Sequence, residues 1–184
     1  MKSRQALFPG IILMLLILYH GTNWISSPRT TWEVSPLQVS AQDVSMVKTM
    51  SEKFPPAVQT WRELIETTAE KYQLDPNLIA AVILQESGGV PSAYSSSGAV
   101  GLMQVMPRDG IAANFICGDH PCFESRPKIR ELENPEFNID YGSHLLKKLL
   151  VKFGGLRESL RAYGPMDMGY QYADTVLSIY SNYQ

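Results

Sequence analysis

From about Asp43 onward, apolar residues recur at helical spacing, and no run alternates apolar with polar in the manner of a strand. After Pro55-Pro56, one stripe of Val58, Trp61, Leu64, Ile65, Thr68, Ala69 and Tyr72 predicts a single amphipathic helix. Asp75-Pro76 then offers a capping carboxylate followed by a proline suited to the first helical position, and Gly88-Gly89 ends that second helix. A short helix is expected around Ala99 to Met106, stopped by Pro107. Asn134-Pro135 repeats the cap-and-proline start for a helix through Phe153, closed by Gly154-Gly155. Leu156, Leu160 and Tyr163 mark another before Gly164-Pro165. Tyr172, Val176, Ile179, Tyr180 and Tyr183 stripe the last. The pattern predicts a compact all-α domain over residues 43–184.

The first 42 residues follow other rules. Lys2 and Arg4 precede an apolar run from Ile11 to Tyr19, and no further charge appears until Arg29. That is the shape of a secretory signal, or, counted from Leu7 to Ile25, of a membrane anchor with Trp24 at the interface. The small-residue site Val39-Ser40-Ala41 lies far beyond the apolar run, which favours an uncleaved anchor. Residues 1–25 are therefore expected to direct export and contact the membrane. Residues 26–42, rich in Ser, Thr, Pro and Gln, read as a linker.

Composition narrows the class. At 184 residues, 45% apolar and 18% charged, the chain has room for one ordinary globular domain plus an extension. A net charge of −2 gives no electrostatic footprint for nucleic acid, and no such partner is expected. Cys117 and Cys122 stand in CGDHPC, which admits a disulfide, two unrelated thiols, or a metal site with His120. Export favours the disulfide.

The chemistry concentrates at Glu86. Leu78, Ile79, Val82 and Ile83 form the apolar stripe of its helix, and continuing the spacing lands on the glutamate. One reading is a rim residue that reaches solvent or a basic neighbour. The other is a half-desolvated carboxyl whose raised pKa keeps it protonated as a general acid. The Ser- and Gly-rich segment SGGVPSAYSSSGAVGLMQVMP that follows lets backbone approach a ligand closely.

Glu86-Ser87, then Gly98-Ala99-x-Gly101-Leu102-Met103-Gln104-x-x-Pro107, then Ala162-Tyr163, then Tyr172 resemble the soluble lytic transglycosylase domain, a family related in fold to goose-type lysozyme. The resemblance runs from about Trp61 to Tyr183 with its motifs in family order. It implies a lysozyme-like helical fold and peptidoglycan as substrate. The implied reaction cuts the β-1,4 bond between N-acetylmuramic acid and N-acetylglucosamine and leaves a 1,6-anhydro product. It also implies Glu86 as the single acid/base, with no metal or cofactor, and Ser87 bonded to the glutamate or to an N-acetyl group. Gly101, Leu102, Met103, Gln104, Tyr163 and Tyr172 would bind substrate together with Ser87, Tyr172 lying near the acid. Where the family usually reads Ala-Tyr-Asn, this chain has Gly164 after Tyr163, and CGDHPCFESRPKIRELEN looks like a local insertion.

Two alternatives stay open. A hydrolytic muramidase needs a second carboxylate to orient water, with Asp109, Asp119 and Glu124 as the nearby candidates. A non-catalytic glycan-binding or assembly module would have no need of a buried acid.

Overall fold

The computed structural model describes residues 48–184. The signal or anchor expected at 1–25 and the linker expected at 26–42 lie outside the described residues. Among the described residues, no helix is long and apolar enough to cross a membrane.

Helix α3 (Pro76–Ser87) is the axis of the domain. Asp75 caps it by accepting from Asn77 N, Pro76 opens it, and Gly88 in the left-handed region closes it. Every residue from Pro76 to Ile83 is buried, so this helix is covered on all sides. Around it pack α2 (Arg62–Tyr72) and α7 (Tyr170–Asn182), while α5 (Pro135–Phe153) lies against α2 and against α6 (Leu156–Tyr163). The core contains Ile65, Ile79, Val82, Ile83, Leu102, Met103, Ile139, Leu146, Leu160 and Val176, all with no more than trace exposure. At roughly 1.5–3 kcal/mol for each fully buried large aliphatic side chain, this cluster outweighs any single surface contact. The all-α expectation holds.

Three local readings are corrected. The stripe after Pro56 is two helices, α1 (Pro56–Gln59) and α2, because Thr60 turns its hydroxyl onto Pro56 O and Trp61 turns its indole N–H onto Gly89 O. The segment Ala99 to Met106 is not a helix. Gly98, Gly101 and Gln104 sit at φ values of 91°, 78° and 45°, which no right-handed helix tolerates. Val100 and Val105 instead exchange two backbone hydrogen bonds of 3.0 and 3.1 Å, closing GLMQ into a tight loop. The segment before Asn134 also carries structure the periodicity did not predict. It holds a 3-10 turn at Gly110–Asn114, a hairpin of β1 (Ile116–Cys117) and β2 (His120–Pro121), and the short α4 (Ile129–Leu132).

Candidate active site

Glu86 stands on the last turn of α3, where the buried axis of the domain reaches the surface. Its carboxyl is half-buried and forms no ion pair among the described residues. The Tyr172 hydroxyl of α7 donates to Glu86 Oε1 at 2.5 Å. Burial pushes the carboxyl up from 4.5 to about 7, and the bond from Tyr172 opposes that rise by favouring the carboxylate. Tyr172 is itself 1% exposed, and burial drives its phenol far above the ordinary range, so it remains a donor.

The GLMQ loop lies beside this pair and is held from four directions. Ser87 Oγ donates to Leu102 O at 2.8 Å and accepts from Gly89 N at 3.2 Å. Its single proton is thus spent on backbone, and the contact to Glu86 named as one option for it is not made. Tyr163 Oη donates to Met103 O at 3.0 Å. Gln104 donates its amide to Ala93 O and Gly101 O, at 3.1 and 2.9 Å. Asn138 of α5 accepts from Met103 N and donates to Val100 O and Leu132 O. Leu102 and Met103, expected to line the cleft, are fully buried, because both apolar side chains anchor the loop in the core. Gly101 is required by close approach: a Cβ there would lie 2.3 Å from Asn138 Nδ2. Gln104 and Tyr163 are half-buried, and burial raises the Tyr163 phenol well above its usual value.

Two residues of this arrangement were not read from the sequence. Asn138 and Gly142 belong to the buried stripe of α5 with Ile139 and Leu146. A Cβ on Gly142 would strike Met103 Sδ at 2.6 Å. The available signal was an amide and a glycine in an otherwise apolar stripe. At position 164 the space for a Cβ is filled by the ring of Tyr172, 2.3 Å away at Cδ1.

The segment between the loop and α5 is closed at its base, where Arg108 N donates to Pro127 O and Asp109 Oδ1 accepts from Ile129 N. Cys117 and Cys122 are joined in a disulfide with Cα atoms 4.9 Å apart, so neither offers a thiolate to a metal with His120. Asp109 caps α4, while Asp119 and Glu124 are exposed on the hairpin and just after it, Glu124 3.9 Å from His120.

The model of the transglycosylase SLT domain family matches residues 63–168, a stretch that runs from α2 through α3, the GLMQ loop and α6. The chain is 38% identical over 96 residues to membrane-bound lytic murein transglycosylase E of Buchnera aphidicola, covering 52% of this chain and 42% of that protein. It is 40% identical over 90 residues to endo-type membrane-bound lytic murein transglycosylase A of Klebsiella pneumoniae, covering 48% and 42% respectively. The chain thus spans about two fifths of the length of these curated relatives. Its fold matches the crystal structure of an inactive mutant of lytic transglycosylase Slt from Pseudomonas aeruginosa with a TM-score of 0.54 and 25% identity, over 71% of this chain and 24% of that one. A lone desolvated carboxyl at the end of a core helix, a glycine loop strapped beside it, and a family match across both lead to one assignment: this chain belongs to the transglycosylase SLT domain family.

Proposed function

We propose that the chain is a peptidoglycan lytic transglycosylase with Glu86 as its one acid/base. The observation that carries the reading is the Glu86 carboxyl itself, half-buried, titrating near 7, and in contact with a neutral phenol rather than a second carboxylate. Near neutral pH such a group is divided between acid and carboxylate, which suits one residue to both halves of a proton cycle. As the acid, Glu86 gives its proton to the glycosidic oxygen while the bond to C1 of the muramoyl residue breaks. As the carboxylate, it takes the proton of the C6 hydroxyl, whose oxygen bonds to C1 and closes the 1,6-anhydro ring. The attacking oxygen is carried by the sugar, so proximity replaces an activated water. Tyr172 holds Oε1, which leaves Oε2 to face the glycan.

Names of relatives support the same substrate, since those proteins are called lytic murein transglycosylases and membrane-bound. The disulfide supports a site of action outside the cytoplasm. Export through residues 1–25, with a linker to residue 42, belongs to the same proposal. Gln104 and Tyr163 are the half-buried side chains beside the acid offered to substrate. The muramidase alternative is disfavoured because Asp109 is committed to the cap of α4, while Asp119 and Glu124 lie exposed at the hairpin.

Mass spectrometry of products from purified peptidoglycan tests the reaction. Anhydromuropeptides are expected. Products heavier by one water would assign a hydrolase, and absence of any release by the folded protein would assign a binding module.

A further inference from the structure

We propose that Arg126 is a specificity residue of this site, placed on the disulfide-closed segment beside the GLMQ loop to take a carboxylate of the peptide stem that peptidoglycan strands carry. The proposal rests on peptidoglycan being the substrate and names the part of it that this segment reads. No motif of the family resemblance falls between Arg108 and Ile129, and the proton cycle of Glu86 uses none of these residues. The position of the segment is fixed by backbone. Arg108 N donates to Pro127 O at 3.0 Å and Ile129 N donates to Asp109 Oδ1 at 2.8 Å, which clamps its base next to Arg126. A Cβ on Gly98 would lie 3.1 Å from Ile111 Cβ, and one on Gly110 would lie 3.3 Å from Tyr94 Oη. The same base is therefore seated on the stretch that leads into the GLMQ loop.

Arg126 N donates to Phe123 O at 2.9 Å, and that turn lays the guanidinium 6.0 Å from the centroid of the Phe123 ring. Phe115 meets Phe123 edge-on at 6.1 Å, and Cys122 N donates to Phe115 O at 2.8 Å next to the Cys117–Cys122 bridge. The guanidinium thus rests on an aromatic pair that a covalent link holds in place. It is half-buried and forms no ion pair among the described residues. Its charge reaches the active site. Burial raises the Tyr163 phenol most, the Glu86 carboxylate raises it further, and Arg126 lowers it. Tyr163 is also the residue that holds Met103 O of the loop. The acid and an unpaired cation therefore act on one hydroxyl from separate elements, α3 and the segment before α4. The strand offers such a cation a partner only on its stem. N-Acetyl sugars are neutral, and the lactyl acid of the muramoyl residue is tied up in the amide to the peptide, which leaves the stem carboxylates as the anions. A guanidinium takes a carboxylate through two parallel N–H···O bonds.

The test is the affinity of the Glu86→Gln protein for soluble, uncrosslinked peptidoglycan strands, which reads binding without turnover. Two strand preparations are acetylated on their amines, and in one the carboxylates are then converted to amides with a carbodiimide and ammonia. Adding Arg126→Gln should weaken binding to the carboxylate strands by about 10-fold or more. Binding to the amidated strands should not change, which also controls for folding. Arg126→Lys keeps the charge without the fork and should recover part of the loss. Equal weakening on both preparations would reduce Arg126 to a part of the scaffold, and an unchanged affinity for the carboxylate strands would remove it from the interface. Either result overturns the proposal. A hydrolase or a pure binding module would give the same pair of affinities, so the result is separable from the product analysis above. A parent protein that binds neither preparation would instead overturn the substrate reading, and the proposal with it. In the active enzyme Arg126→Gln should raise KM and leave kcat, since the contact is kept through the transition state.

Discussion

The side-chain amide of Asn138 occupies the place where a Cβ on Gly101 would sit, 2.3 Å from its Nδ2. That contact joins α5 to the loop beside the acid through a fully buried amide whose donors and acceptor are satisfied by Met103 N, Val100 O and Leu132 O. Asn138→Ala strands three backbone groups at once, and at 1–3 kcal/mol for each unsatisfied group the loss should be about 3 kcal/mol or more. Gly101→Ala adds a clash at φ 78° and should be comparably costly. Urea denaturation checks both. A loss below about 1 kcal/mol for either would mean that the loop has another anchor.

Glu86→Gln keeps the size of the side chain and removes the proton. The variant should fold and still bind glycan, while turnover drops by about 10²–10⁴ or more, since one residue serves both proton transfers. In the wild type, kcat/KM should decline as pH rises through about 7, where Glu86 loses its proton in the free enzyme. Near-wild-type release of anhydromuropeptides by folded Glu86→Gln would remove Glu86 from the mechanism.

The same carboxyl should leave a mark on stability. Its folded pKa is raised from 4.5 to about 7, so the native state holds the proton more tightly than the unfolded chain does. The favourable contribution is complete below pH 4.5 and is lost as pH rises through about 7. Measured against Glu86→Gln, wild-type stability should fall across that window by roughly 1–3 kcal/mol. Parallel thermal scans from pH 4 to 8 read this directly. A gap between the two proteins that stays constant would show that Glu86 titrates normally.

Reducing Cys117–Cys122 should loosen the hairpin and leave the helices intact. The bridge closes a loop with a sequence separation of 5, for which chain entropy gives about 2 kcal/mol. Circular dichroism of the reduced protein should retain its helical signal, and proteolysis should cut first between Phe115 and Arg126. Thiol labelling of unreduced protein should find no free cysteine. Two labelled thiols would overturn the pairing.

Much of this protein was legible along the chain. Helices with a cap and a stop in sequence, Asp75-Pro76 to Gly88 and Asn134-Pro135 to Gly154, fall where those residues put them, because capping is a local contest between side chain and backbone. The position of Glu86 at the end of a buried stripe followed from the helical period alone. The GLMQ segment did not. Its apolar residues look helical in isolation, and bonds from the distant Ser87, Tyr163 and Asn138 help hold it as a loop with residues at positive φ. Those partners lie 15, 60 and 35 residues away, beyond the reach of any local pattern. The same separation governs the chemistry. Tyr172 stands 86 residues from Glu86, and the spacing of apolar positions says nothing about which phenol meets which carboxyl. Sequence periodicity set which face of each helix turns inward, since burial of apolar area is additive and non-directional. Close packing of α7 against α3 and α6 decided which atoms touch, since contacts such as Gly164 on Tyr172 depend on tenths of an ångström.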